Sequence, residues 1–199
     1  MYRLYGMSGS DNCYKPKLLL AQLGIPFAWV EKDTRKGETR TPDYLAMNPN
    51  GKVPLLEITP GQYLAESNAI LVYLAENTPY LPRDRWQCAQ VMQWLFFEQY
   101  SHEPYLAVAR FIIKYLPSDH PRRADLPRLL ERGHQTLAVM ERHLAQHGFF
   151  AGGQHSIADI ALYAYTQVAE EGGFDLSPYA AVRGWLESVH SQSGHIVMT

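Results

Sequence analysis

The sequence is poor in cysteine, with two in 199 residues, Cys13 and Cys88. They form no CxxC pair and no zinc-type cluster, which argues against a secreted fold stapled by disulfides. No apolar run is long enough to span a bilayer. Neither sign of charge is in excess. Eighteen Lys and Arg face twenty Asp and Glu, a formal charge of -2, whereas a nucleic-acid binder carries a basic surplus. Arg122-Arg123 and the pair Arg83/Arg85 sit among prolines and acids and read as solvated loops. Met1-Tyr2-Arg3-Leu4-Tyr5-Gly6 lacks the charged-then-apolar pattern of a signal peptide, so the expected compartment is the cytoplasm.

What is present is an ordinary globular composition, 46% hydrophobic and 19% charged. The length allows one large domain or two small ones. A change of pattern near Leu81-Pro82-Arg83-Asp84-Arg85 favours two, spanning 1–80 and 86–199. Before it, strand-like and helix-like segments alternate. Tyr2 to Met7 reads as a strand, and Leu18 to Leu23 as a helix closed by Gly24. Pro16 is tolerated only in a first turn, so that helix is expected to begin near Asn12 or Cys13. Phe27 to Val30 reads as a buried strand, and Thr41-Pro42 as the start of a short helix. Val53 to Ile58 and Gln62 to Ala65 are strands across a Thr59-Pro60-Gly61 turn, and Ser67 caps an apolar helix, Ala69 to Ala75. Beyond the boundary the patterns are helical. A long aromatic-rich helix runs from Arg85 to Leu116, and Leu126, Leu130, Leu137, Met140 and Leu144 recur at helical spacing. Ser156-Ile157-Ala158-Asp159 resembles a capping box opening a helix to about Ala169, and Val182, Trp185, Leu186 and Val189 mark the last helix. The fold class is α+β, with a β-α-β-α-β-β-α unit followed by an all-α unit.

That element order, with a proline opening the third strand, is that of a thioredoxin-like domain. A cis proline there exposes the backbone of Val53 for pairing with an extended peptide. Glu66-Ser67 adds a second element. A helix N-terminus attracts a carboxylate, and Glu66 can accept from an α-amino group, so the pair suits an amino-acid head group.

Asn48-Pro49-Asn50-Gly51-Lys52-Val53-Pro54 followed by Glu66-Ser67-Asn68-Ala69-Ile70-Leu71 resembles the N-terminal domain of glutathione S-transferases. Ser156 to Asp159 matches the capping box of that family's helical domain, and the resemblance extends over nearly the full chain. It implies that Val53 pairs with the cysteinyl backbone of glutathione, that Glu66 and Ser67 hold the γ-glutamyl group, and that Lys52 approaches the glycyl carboxylate. Theta-like members add a histidine just upstream, where this chain has Thr39-Arg40. Ser10, on the loop before the first helix, resembles the thiolate-stabilising serine of bacterial, theta/zeta-like, serine-type members. A hydroxyl donating to sulfur there lowers the thiol pKa from about 8.5. Ser8, Tyr5 and Asn12 are its rivals, asparagine being the residue that supports disulfide-bond chemistry in some bacterial members. Cys13 ends a Ser10-Asp11-Asn12-Cys13 run spaced like a CxxC motif whose first cysteine is serine, and reads as a small buried hydrophobe.

The implied activity is conjugation of glutathione to a small apolar electrophile, with glutathione as cosubstrate and no metal or organic cofactor. Tyr105 and Phe111, on the first long helix of the second unit, are the expected electrophile-pocket residues. His143 and His147 are four apart but have no third ligand, and read as a solvated helix face. A homodimer is implied, joined through helix Ala69 to Ala75 and the long helix, with no nucleic-acid or membrane partner. Two alternatives stand beside this: a glutathione-dependent disulfide reductase or peroxidase working through Asn12 or Cys13, and a non-catalytic glutathione- or ligand-binding protein.

Overall fold

The computed structural model describes residues 1–198. It divides into two compact units. The first contains β1 (Tyr2–Gly6), α1 (Asp11–Gln22), β2 (Phe27–Glu31), α2 (Pro42–Met47), β3 (Leu55–Thr59), β4 (Gln62–Ala65) and α3 (Ser67–Ala75). The sheet order is β2-β1-β3-β4. β1 runs parallel to β2, from Tyr2 opposite Phe27 to Gly6 opposite Glu31. β3 is antiparallel to both neighbours, with Leu4 opposite Leu56 and Leu56 opposite Leu64. The parallel β1–β2 pair requires a crossover, which α1 supplies. Leu18, Leu19 and Leu20 of α1 and Ile70 and Leu71 of α3 are fully buried, as are Leu4, Leu55 and Leu56 of the sheet. α1 and α3 pack on each other, so the polar residues at their N-terminal ends are held by an apolar base.

Several local expectations need correction. β2 is an edge strand, half-buried where a buried strand was expected, because only β1 pairs with it. α1 begins at Asp11, which places Pro16 inside the helix. Proline has no N–H to give to the carbonyl four residues back, that of Asn12. Ser67 is not the cap of α3 but its first helical residue. The cap is Glu66, in a positive-φ conformation (φ 70°, ψ 116°).

The second unit is all helical: α4 (Arg85–Phe97), α5 (Glu103–Tyr115), α6 (Leu126–Leu144), α7 (Ile157–Thr166) and α8 (Ala180–His190). The expected single helix from Arg85 to Leu116 is broken by a π-helical turn at Glu98–His102, where the Glu103 N–H bonds to the Glu98 carbonyl. Pro104 is the cause, since it cannot donate to the Tyr100 carbonyl and the register must shift around it. On α6 the buried face passes through Leu129 and Gly133, and a Cβ on Gly133 would lie 2.2 Å from the Phe174 ring. α7 is buried along its whole length. It ends at Thr166, short of Ala169, which begins a separate 3-10 turn.

The boundary lies between Glu76 and Asn77, a few residues before the expected one. The chain from Gln192 onward returns to the first unit. There the Tyr14 hydroxyl donates to the Ile196 carbonyl at 2.7 Å and lies 3.2 Å from His195 Nε2. No helix among the described residues is long and apolar enough to cross a membrane.

Candidate functional site

The loop before β3 is built by its own side chains. Asn48, buried, accepts from the Asn50 N–H at 3.2 Å and donates through Nδ2 to the Lys52 carbonyl at 2.9 Å. The Tyr44 hydroxyl donates to the same carbonyl at 2.8 Å. Gly51 turns at φ 60°, where a Cβ would meet the Thr39 carbonyl at 2.9 Å and the Arg40 guanidinium at 2.5 Å. Arg40 in turn donates to the Asn50 carbonyl at 3.1 Å. These bonds fix the backbone leading into Val53-Pro54, whose peptide bond is cis. The Lys52 side chain is exposed and Val53 is half-buried. Arg40 therefore packs on this loop, a placement that the pairing of Thr39-Arg40 with a family histidine did not reveal.

α3 starts beside this loop in the sheet order, after β4. Its cap residue Glu66 is exposed and makes no side-chain capping bond, and its first turn carries no acidic residue. The first N–H groups of a helix have no intrahelical acceptor, so this end attracts an anion. Glu66 sits outside the favoured regions for a non-glycine residue, a strain of about 1–3 kcal/mol that is typical of functional sites.

Ser67 is buried and reaches across to α1. Its Oγ lies 2.8 Å from Asn12 Oδ1. The fully buried Lys15 joins them, with Nζ at 2.9 Å from Asn12 Oδ1 and 3.5 Å from Ser67 Oγ. Sequence reasoning missed Lys15. No local signal marked it, since a lysine early in a helix reads as a surface cation.

The residues around the start of α1 differ in what they bond. The Tyr5 hydroxyl is buried and donates to Glu57 at 3.0 Å. The Ser8 hydroxyl donates to Glu31 at 2.9 Å, and the Ser8 N–H and the Trp29 indole bond to the same carboxylate. Those bonds hold the Glu31 carboxyl below its usual range, against the opposing effect of burial. Ser10 stands at the N-cap of α1 without capping it. It favours the thiolate of Cys13, and the Met7 N–H reaches that sulfur at 3.4 Å. Ser10 and Cys13 line a narrow cavity of about 10 Å³, room for about one water, with Met7, Lys17, Trp29 and Met198. Cys13 is buried, and burial pushes its thiol up to about 11 despite the opposing effects of Ser10 and the Met7 N–H. A thiol so protonated and enclosed is a poor nucleophile at neutral pH.

Tyr105 and Phe111 stand about 120° apart around α5, given 100° per residue. Tyr105 is half-buried, whereas Phe111 is exposed beside Tyr115, with Arg122 over its ring. The two are not brought together. The His143 ring packs against Trp94 and Phe150 as well as His147, so it is part of an aromatic cluster and not a solvated face. Among the described residues no three His, Cys, Asp or Glu gather as metal ligands.

A sheet of this order with a cis proline entering β3, joined to an all-helical unit, defines a two-domain protein of thioredoxin-like type. The chain belongs to the glutathione S-transferase family. The family's N-terminal domain matches residues 1–76 and its C-terminal domain residues 123–188. The crystal structure of a glutathione S-transferase from Pseudomonas fluorescens [Pf-5] superposes with a TM-score of 0.96 at 51% identity, covering 99% of this chain and 98% of that one. Glutathione S-transferase 3 of Zea mays is 32% identical over 164 residues, 79% of this chain and 73% of that protein. Disulfide-bond oxidoreductase YfcG of Escherichia coli (strain K12) is 28% identical over 194 residues, 92% of this chain and 87% of that protein.

Proposed function

We propose that the protein conjugates the glutathione thiolate to a small apolar electrophile. The observation that carries this reading is the bond between Ser67 and Asn12. It ties the anion-attracting start of α3 to the first turn of α1, so one braced piece carries both the head-group end and the thiol end of the site. Glutathione lies with its cysteinyl backbone along Val53 and its γ-glutamyl carboxylate on the first N–H groups of α3. Its α-amino group meets Glu66, and Lys52 faces the glycyl end. Ser10 donates to the glutathione sulfur. Ser10 lines the same small cavity as Cys13, and a thiolate is a stronger acceptor for its hydroxyl than a neutral thiol. No resident metal or organic cofactor takes part, since glutathione is the cosubstrate. The helical unit supplies the electrophile's pocket, with Tyr105 a better lining residue than the more exposed Phe111. The exposed Tyr73 of α3 and Trp86 and Phe96 of α4 are apolar surfaces suited to a homodimer contact.

A second reading is favoured by the same bond. Asn12 accepts directly from the Ser67 hydroxyl, and a member of this family named as a disulfide-bond oxidoreductase is matched over most of the chain. In that reading Asn12 stabilises the thiolate, and the reaction is reduction of a mixed disulfide. The burial of Cys13 and its raised thiol pKa weigh against it as the nucleophile in that reading.

The test is to assay Ser10→Ala and Asn12→Ala for conjugation of an aryl halide and for reduction of a glutathione mixed disulfide. Selective loss of conjugation in Ser10→Ala supports the first reading. Selective loss of disulfide reduction in Asn12→Ala supports the second. Absence of glutathione binding by calorimetry overturns both and leaves a ligand-binding role.

A further inference from the structure

Lys15 presents its ammonium to two groups of the candidate site while being fully buried itself. An ammonium has donors and no acceptor, so the Asn12 amide atom facing it must be the oxygen. That oxygen carries no hydrogen, so in the 2.8 Å contact the Ser67 hydroxyl must be the donor. Two consequences follow from this chemistry. The single hydroxyl hydrogen of Ser67 is committed to Asn12, and the Nδ2 branch of the amide is turned away from the Lys15 contact. A carboxylate arriving at the start of α3 competes for the Ser67 hydrogen. Once the hydroxyl turns to it, Lys15 is the remaining one of these two donors on Asn12 Oδ1, through a charge-assisted bond.

We infer that Lys15 is a positioning residue that couples the head-group end of the site to the acidity of the thiol. It holds the Asn12 amide oxygen, keeping Nδ2 aimed as a donor, while the Ser67 hydroxyl is released to the ligand's carboxylate. The inference rests on the reading of this platform as a glutathione site, and specifically on Asn12 as a donor to the sulfur.

The experiment is a double-mutant cycle on the full chain, with glutathione as the probe. The pKa of bound glutathione is read from thiolate absorbance against pH in the wild type, Lys15→Met, Asn12→Ala and the double variant. Lys15→Met is expected to raise the bound thiol by about one pH unit, roughly tenfold less thiolate at a fixed pH below it. In the Asn12→Ala background the same substitution is expected to add nothing, because the route through the amide is gone. A Lys15→Met protein with an unchanged bound thiol pKa overturns the inference. So does an equal shift in both backgrounds, which would mean that Lys15 acts on the thiol without Asn12. If Lys15→Met does not fold, Lys15→Gln, which keeps a donor and loses the charge, goes through the same cycle under the same criteria. Failure of the wild type to bind glutathione overturns both the function and this inference. Binding by every variant with no movement of the thiol overturns the inference alone.

Discussion

Two helix N-termini in this chain meet the same electrostatic demand in opposite ways. At α7 the chain supplies its own anion. Asp159 accepts from the Phe150 N–H and the Trp185 indole through one oxygen, and from the Ser156 N–H and hydroxyl through the other. The site is closed, with Ser156 and Asp159 both fully buried. At α3 no side chain caps the helix and no acid lies in the first turn. The polar groups gathered there are a hydroxyl, an amide and an ammonium. The difference teaches how structure and recognition share one physics. A buried helix end filled by the chain's own carboxylate stabilises a domain, and one left open, with a cation behind it, is suited to a carboxylate from outside.

The comparison breaks most visibly at Asp159. Asp159→Ala leaves several buried donors without an acceptor, each costing about 1–3 kcal/mol. A stability loss of about 3–5 kcal/mol in denaturant unfolding is expected, at the upper end for a point mutation. A loss below about 1 kcal/mol would mean that the capping cluster is not what holds this unit.

The next effect is one of pH. Burial pushes the Asp159 carboxyl up to about 6, with the bonds from Trp185, Phe150 and Ser156 opposing it. Its folded pKa thus lies above the unfolded one. The contribution is fully present below about pH 4 and is lost as pH rises through about 6, because the unfolded chain gives up this proton first. The size is about 3 kcal/mol, two pKa steps of about 1.4 kcal/mol each. Unfolding free energy measured from pH 4 to 7 carries this decline, and Asp159→Asn flattens it. An identical pH slope in the variant would assign the decline to other groups.

The smallest of the three effects sharpens the other side. Ser67→Ala at α3 removes one donor from an expected carboxylate and one from Asn12. Its cost to glutathione affinity is about tenfold, corresponding to about 1.4 kcal/mol, with a stability loss of about 1 kcal/mol, because Asn12 keeps Lys15 as a partner. Calorimetry and thermal melts on the same protein check both parts. A large stability loss with unaltered affinity would make α3 a second structural cap like α7.

Much of this contrast was legible in the chain. Ser156 and Asp159 stand at capping-box spacing, and the structure forms that box. Thr41-Pro42 opens α2 as its residues require, with the Thr41 hydroxyl accepting from the Tyr44 N–H. The Val53-Pro54 junction and Glu66-Ser67 were visible as motifs. Other features were not legible, because they depend on groups far apart in sequence. Asn12 and Ser67 are 55 residues apart. Lys15 reads from sequence as an ordinary surface cation, and only the packing of α1 on α3 buries it. The break at Glu98–His102 had a local signal in Pro104, but the helical periodicity on either side concealed it.

The sequence by itself determined the alternation of elements in the first unit and the capped starts of α2 and α7. These follow from short-range rules of capping, proline geometry and side-chain period. The tertiary structure decided that Cys13 is an enclosed thiol reached by the Met7 N–H, that the tail from Gln192 belongs with the first unit, and that a buried ammonium stands behind Ser67. Burial and hydrogen-bond partnership are properties of the packed chain. They set charge, donor direction and thiol acidity, and no local spacing encodes them.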